Sequence, residues 1–84
     1  LNPDQNLFYS NLGEAYALQG KWVKTIDACL KSIEIDTFND EAHYYLGLAY
    51  ENTGEKNMAI NEYKKAVEVN PDYTEAKDRL VELQ

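Results

Sequence analysis

The residue types that carry out most enzyme chemistry are few and scattered in this sequence. The single histidine, His43, cannot by itself form a metal site or a catalytic triad, and no base lies near Ser10 or Ser32 in the pattern. Cys29 falls on the buried face of its helix, as an inert small hydrophobic residue does. Acid–base catalysis needs paired carboxylates in a water-poor pocket, whereas these carboxylates fall on exposed helix faces. We therefore expect no catalytic site, no metal and no cofactor.

The charge of the chain restricts its partners. Its 84 residues carry 15 acidic and 8 basic side chains, a net charge of −7, which argues against binding to nucleic acid or to anionic membrane surfaces. No apolar run approaches the roughly 20 residues that a spanning helix needs. The unpaired Cys29 and the absence of an N-x-S/T sequence favour a reducing, cytoplasmic location. We expect one small domain whose function depends on its surface.

The elements that position these residues recur every 34 residues. Eight positions are identical when residues 6–39 are compared with residues 40–73, whereas chance gives about two. The chain is predicted to contain the end of one repeat (1–5), two complete repeats (6–39 and 40–73) and the first helix of another (74–84). Because it begins at Leu1 and both ends are partial repeats, we expect a piece of a longer array.

Each repeat is predicted to form two helices. Apolar residues recur with helical spacing in 6–19 and 40–53, and again in about 23–35 and 57–69. Gly20 and Gly54 end the first helix of each pair, and Pro71 follows the end of the last pair. Asp40 and Thr74 are the expected N-caps of the helices that they open. No alternating strand pattern is present, so the predicted fold class is all-α.

The recurring residues resemble the tetratricopeptide repeat. That family has an aromatic residue, Leu-Gly, Tyr, a small residue, a second aromatic residue and Pro at fixed offsets. The second repeat supplies these as His43, Leu46, Gly47, Tyr50, Ala59, Tyr63 and Pro71, and the first as Tyr9, Leu12, Gly13, Tyr16, Thr25, Cys29 and Thr37. The resemblance implies helix-turn-helix repeats stacked as a right-handed α-solenoid, with the first helices lining the concave wall.

Four positions depart from the family pattern. Thr25 and Cys29 replace the small residue and the second aromatic residue, Thr37 replaces the proline, and His43 replaces the first aromatic residue. His43 is expected to pack in the place of that aromatic residue. The departures predict a looser first repeat, and they leave the fold unchanged.

The resemblance also implies a function, because this family acts mostly as scaffolds and peptide-capture modules. Projection onto the family's architecture predicts partner contacts from Ser10, Asn11, Glu14, Glu41, Tyr44, Tyr45, Leu48, Glu51, Asn52, Asp78 and Arg79. Some members clamp a C-terminal carboxylate, but the corresponding positions here are Ser10, Glu14, Tyr45, Glu75 and Arg79, and only Arg79 matches. We therefore expect a protein or peptide partner that is basic, aromatic-containing or helical.

Tyr44 and Tyr45 leave two interpretations open. They fall on the side of their helix away from Leu46 and Tyr50, which faces the groove in the family's architecture. Tyrosines at such a site either contact a partner or cover neighbouring side chains.

The ends of the chain favour a second function. Leu7 and Phe8 near the start, and Val81 and Leu83 in the last helix, are apolar, whereas a free-standing array ends in a polar helix. Such ends predict head-to-tail self-association into a homo-oligomer. A third possible function is that of a regulatory segment in a larger enzyme whose chemistry is encoded elsewhere. No residue of this sequence distinguishes that function from the first two.

The charge of −7 is unevenly distributed. The first-helix segments 6–20, 40–54 and 74–84 carry −1, −3 and −1, whereas the second-helix segments 21–35 and 55–69 carry +1 and 0. The connectors add Asp4, Asp36 and Asp72. An acidic concave wall predicts a positively charged partner whose binding weakens with salt.

Overall fold

Five helices joined by short turns form the structure. The computed structural model describes residues 4–84, which form α1 (Asp4–Leu18), α2 (Trp22–Ile35), α3 (Asp40–Asn52), α4 (Lys56–Val69) and α5 (Thr74–Leu83). Each helix packs against the next, and α1 also packs against α3. The predicted all-α helical-repeat fold is confirmed. Of the expected repeat end at 1–5, residues 1–3 lie outside the described residues, and residues 4 and 5 belong to α1.

The turn inside each repeat is built on a glycine. Gly20 and Gly54 have φ angles of 71° and 86°, in the left-handed region that favours glycine. Beyond Gly54, the amide of Glu55 donates to the Tyr50 carbonyl at 2.8 Å, and the equivalent bond one repeat earlier measures 2.9 Å. These bonds use carbonyls that the ends of α1 and α3 would otherwise leave unpaired.

The two helices of each repeat approach closely at a glycine. A Cβ placed on Gly47 would lie 2.8 Å from a ring carbon of Tyr63, and one placed on Gly13 would lie 2.7 Å from Cys29 Sγ. Tyr63 and Cys29 occupy the same repeat position and are both fully buried. Any side chain larger than hydrogen at either glycine would therefore push the helices apart.

The first repeat has the more polar core. Thr25, Cys29 and Ser32 are fully buried in α2, where α4 has alanine, tyrosine and alanine. The Thr25 hydroxyl donates to the Lys21 carbonyl at 2.9 Å, which satisfies it inside its own helix. Burial, with a smaller effect from the charge of Glu62, raises the pKa of the Cys29 thiol to about 12. The thiol therefore stays protonated and packs as a small hydrophobic group.

Polar side chains join the start of each repeat to its end. Asn6 Nδ2 donates to Asp36 at 3.3 Å, and one repeat later Asn70 Nδ2 donates to Asp40 at 2.8 Å. Asn6 and Asp40 share one repeat position, and Asp36 and Asn70 share another. The same contact therefore occurs in both repeats, with the asparagine and the aspartate exchanged. The Asn39 side chain extends the first contact by donating to Asn6 Oδ1 at 2.9 Å.

The N-caps of α3 and α5 were predicted one residue too late. The Asn39 side chain caps α3 by accepting from the Ala42 amide at 3.0 Å, and Asp40 is the first residue of the helix. Asp40 instead accepts the bond from the connector that follows α4. Tyr73 precedes α5 without a side-chain cap bond, and Thr74 is its first residue.

Replacing Gly47 with alanine should destabilise the protein. Alanine normally favours a helix over glycine by about 1 kcal/mol. Here the added methyl group would overlap the ring of Tyr63, which is fully buried and whose hydroxyl donates to Glu51. We expect Gly47→Ala to lower the free energy of unfolding by about 1–3 kcal/mol in urea titrations. Unchanged or increased stability would show that the ring can move aside.

Candidate functional site

Side-chain contacts join the first helices of successive repeats. The Tyr45 hydroxyl on α3 donates to the Glu14 carboxylate on α1 at 3.0 Å. The Arg79 guanidinium on α5 binds both carboxylate oxygens of Glu51 on α3, with Nε 3.1 Å from Oε1. The faces of α1, α3 and α5 that carry these four residues form one surface, which we call the first-helix surface.

A depression of about 480 Å³ opens on this surface, and carboxylates dominate its lining. Five of them surround it: Glu14, Asp40, Glu41, Asp72 and Glu75. Glu41 is exposed, but its partial desolvation, together with the negative charges of Glu14 and Asp40, raises the pKa of its carboxyl. Like charges crowded together disfavour ionisation. A cation entering the depression would reduce this repulsion, whereas an anion would increase it.

Tyrosine rings lie beside these carboxylates. Tyr45 and Tyr73 line the depression, and the Tyr44 ring lies next to both, with centroid distances of 5.0 Å and 5.1 Å. Burial is the largest cause that raises the pKa of Tyr45 and of Tyr73, so both hydroxyls stay protonated at neutral pH. Aromatic faces next to carboxylates suit a ligand that carries a cationic or aromatic group.

The structure brings some of the predicted contact residues together and separates others. Glu14, Glu41 and Tyr45 line the depression. The other eight predicted residues lie outside it; of these, Asn11, Asn52 and Asp78 are exposed and Leu48 is half-buried. These four remain predictions for the outer parts of a binding surface.

Ser10 and Tyr44 share one repeat position, and neither side chain is fully exposed. Ser10 is 2% exposed, and its hydroxyl donates to the Leu7 carbonyl at 3.2 Å. Tyr44 is half-buried and packs against the rings of Tyr63 and Tyr73. The burial of Ser10 leaves little of its side chain accessible to a partner. Tyr44 contacts neighbouring rings and keeps part of its surface exposed, so both of its interpretations remain predictions.

Glu51 and Arg79 bind each other, whereas the prediction treated both as free to contact a partner. Glu51 also accepts a hydrogen bond from the Tyr63 hydroxyl at 2.9 Å. Its hydrogen bond to Arg79 is the main cause that raises the pKa of the guanidinium, which stays charged. The three side chains connect α3, α4 and α5, and their first role is structural.

The apolar residues at the two ends differ in exposure. Leu7 and Phe8 are 58% and 61% exposed, and Val81 is 79% exposed. Leu83 is instead half-buried and packs against the buried cluster that includes Ala76. Leu83 is therefore less available for self-association than the other three residues, because part of its side chain packs against this cluster.

Tyr73, Asp40 and Asp72 line the depression, although none of them is among the predicted contact residues. Tyr73 lies just before α5, outside the family's signature positions, and its ring lines the depression. Asp40 and Asp72 were assigned to a helix cap and a connector, although they line the same depression. The position of Tyr73, an aromatic residue directly before α5, was the sequence feature that could have indicated its place in the site.

Comparisons with known proteins identify the repeat. The family model described as tetratricopeptide repeat matches residues 40–73. The small glutamine-rich tetratricopeptide repeat-containing protein 2 of Mycosarcoma maydis is 32% identical over 71 residues, which cover 84% of this chain and 20% of the relative. Residues 40–73 thus match the tetratricopeptide repeat family, and the chain is similar to proteins that carry this repeat.

Solved tetratricopeptide structures superpose closely on this chain. A crystal structure of MamA matches with a TM-score of 0.88 and 29% identity, covering 99% of this chain and 48% of MamA. The first TPR of Spaghetti (RPAP3), bound to the HSP90 peptide SRMEEVD, matches with a TM-score of 0.89 and 25% identity. The match covers 99% of this chain and 66% of the Spaghetti chain. The chain thus spans a fifth of its curated relative and about half to two thirds of these solved chains.

The family works through protein contacts. Tetratricopeptide repeats generally act as protein-interaction modules, and nothing in the comparisons indicates an enzyme. Among residues 4–84, no group of three or more His, Cys, Asp or Glu side chains could hold a metal ion. None of the five described helices is long and apolar enough to cross a membrane.

Replacing Arg79 with alanine should loosen α5. The variant leaves Glu51 without its cationic partner, and we expect the free energy of unfolding to fall by about 1 kcal/mol. Amide hydrogen exchange should become faster in α5 before it does so in α1 or α2. Lys77→Ala, which removes an exposed cation from the same helix, is the matched control. Equal effects of the two variants would contradict a specific role for the Glu51–Arg79 pair.

Proposed function

We propose that this chain captures a positively charged, aromatic-containing protein segment on its first-helix surface. The observation that carries the proposal is the depression in which five carboxylates lie beside Tyr45 and Tyr73. A Lys or Arg side chain entering it would pair with carboxylates and lie against a tyrosine ring. The net charge of −7 adds long-range attraction for a basic segment.

The proposed ligand differs in charge from the peptide bound by the Spaghetti (RPAP3) neighbour. That peptide, SRMEEVD, ends in two glutamates, a valine and an aspartate. In this chain Glu14 and Glu75 line the depression, and Arg79 is bound to Glu51. An acidic tail would meet carboxylates there, so the same fold is expected to select the opposite charge.

Two matched peptides test this selection. The first is SRMEEVD, and the second is SRMKKYK, in which lysines replace the acidic residues and tyrosine replaces valine. Fluorescence anisotropy should show that the basic peptide binds, and that its affinity falls roughly fivefold or more between about 50 and 300 mM salt. The acidic peptide should bind much more weakly. Preference for SRMEEVD, or binding of neither peptide, would contradict the proposal.

Two double variants with the same change in charge locate the site. Glu41 and Glu75 are exposed, repeat-equivalent residues that line the depression. Glu34 and Glu68 are also exposed and repeat-equivalent, but they lie on α2 and α4. Glu41→Gln with Glu75→Gln should weaken the basic peptide roughly tenfold, whereas Glu34→Gln with Glu68→Gln should change affinity less than about twofold. Equal losses would indicate only non-specific attraction to an acidic protein.

Exposed apolar side chains at both ends support a second candidate function, head-to-tail self-association. Leu7 and Phe8 lie on α1, and Val81 lies on α5 at the opposite end of the chain. Contact between the two ends of different copies would produce an open assembly.

A lysine substitution should prevent self-association at an exposed valine in the last helix but not at a similarly exposed valine elsewhere. Val81 and Val23 are 79% and 75% exposed, and only Val81 lies in the last helix. If copies stack, the mass measured by light scattering should rise with concentration in the wild type and in Val23→Lys, and stay at 9.7 kDa in Val81→Lys. A wild-type monomer at millimolar concentration would reject this candidate.

A further inference from the structure

The buried histidine binds two hydrogen-bond acceptors at once. His43 is 4% exposed, with Nδ1 2.8 Å from Glu62 Oε1 and Nε2 2.7 Å from the Thr37 carbonyl oxygen. A carbonyl oxygen can only accept, and so can an ionised carboxylate. The other oxygen of Glu62 accepts from Lys65 Nζ at 3.3 Å, and this cationic partner favours the ionised carboxylate. With Glu62 ionised, both ring nitrogens of His43 donate, and the ring is an imidazolium.

Among the described residues, few charged or titratable groups lie around His43. On α4 these are Glu62 and Lys65, and Glu68 lines the same cleft. Two further titratable groups lie near Glu62: the protonated Cys29 thiol on α2 and the Tyr50 side chain on α3. From the connector, the Thr37 carbonyl lies against the ring, and the uncharged Phe38 lines the same cleft. Glu62 is thus the one anion in direct contact with the ring among the described residues.

These contacts change the pKa of both partners. Burial alone would lower the pKa of His43, but the hydrogen bonds to Glu62 and to the Thr37 carbonyl outweigh it and raise the pKa above 6.5. Burial alone would raise the pKa of Glu62, but the hydrogen bond from His43 and the charge of Lys65 lower it below 4.5.

The first repeat has no histidine–glutamate pair at the same place. The positions of His43 and Glu62 hold Tyr9 and Ala28 there, and the Lys31 ammonium lies 5.5 Å from the Tyr9 ring centroid. The ionisable pair is therefore specific to the second repeat. It also contacts the connector that joins the two repeats, because Thr37 lies between α2 and α3.

We propose that the His43–Glu62 pair makes the attachment of the second repeat to the first dependent on pH. With both ring nitrogens protonated, His43 joins α3 to α4 and to the connector at Thr37. Loss of one proton leaves a single ring donor between two acceptors, so one of the two bonds is lost. Helix α3 carries Glu41 and Tyr45, so the change reaches the first-helix surface, although the inference does not depend on what that surface binds.

The direction of the pH effect follows from the two pKa changes. The contribution of His43 is complete below 6.5 and is lost as pH rises through its raised pKa. The contribution of Glu62 is complete above 4.5 and is lost as pH falls through its lowered pKa. The junction should therefore be firmest between these two values and loosen as the solution becomes alkaline.

NMR of the ring nitrogens tests the protonation directly. His43 is the only histidine of the sequence, so its ring signals need no assignment. We expect both nitrogens to be protonated at pH 6 and the titration midpoint to lie above 6.5. A neutral ring at pH 6, or a midpoint at or below 6.5, overturns the proposal even if no variant folds.

A double variant that copies the first repeat tests the effect on the junction. His43→Tyr with Glu62→Ala reproduces the Tyr9 and Ala28 combination. Between about pH 6 and 8.5, the wild-type unfolding equilibrium constant should rise roughly three- to tenfold more than that of the variant. Amide protection, corrected for intrinsic exchange, should fall first in the connector 36–39 and in α3. Equal pH dependence in both proteins, or protection lost uniformly along the wild-type chain, overturns it.

Discussion

The spacing of three helices depends on one buried side chain, Tyr63. Its fully buried ring packs against Gly47, which has no Cβ to prevent the close approach of α3 and α4. Its hydroxyl reaches Glu51 on α3 at 2.9 Å, and Glu51 in turn binds Arg79 on α5. The ring fixes how close the helices lie, and the phenol oxygen fixes a charged pair on the first-helix surface. Packing and surface charge are therefore determined together.

The two repeats share one backbone plan and differ in chemistry. The first places Cys29 where the second places Tyr63, and it fills its core with small polar side chains that bond within or between neighbouring helices. The second repeat carries the buried His43–Glu62 pair and supplies Glu51 to the ion pair with α5. The charged contacts that could respond to pH or to a partner thus concentrate from α3 onward.

The repeat period made the fold predictable, because the same residues recur at positions with the same packing role. The site was less predictable, because its contacts join residues far apart along the chain. Arg79 binds Glu51 across 28 residues, and helical periodicity cannot reveal that two groups on one surface neutralise each other. The burial of Ser10 was not predicted, because projection onto the family's architecture shows which side of a helix a residue lies on but not how deeply it is buried. Asn39 was missed as a cap because its role depends on a buried network with Asn6.

We propose that the acidic depression on the first-helix surface binds a basic, aromatic-containing segment. The most direct measurement is a titration of the ¹⁵N-labelled chain with SRMKKYK, followed by amide chemical shifts. We expect the largest shift changes at Glu41, Tyr45, Tyr73 and Glu75, with little change along α2. Changes confined to α2 and α4, or to the two ends of the chain, would contradict it.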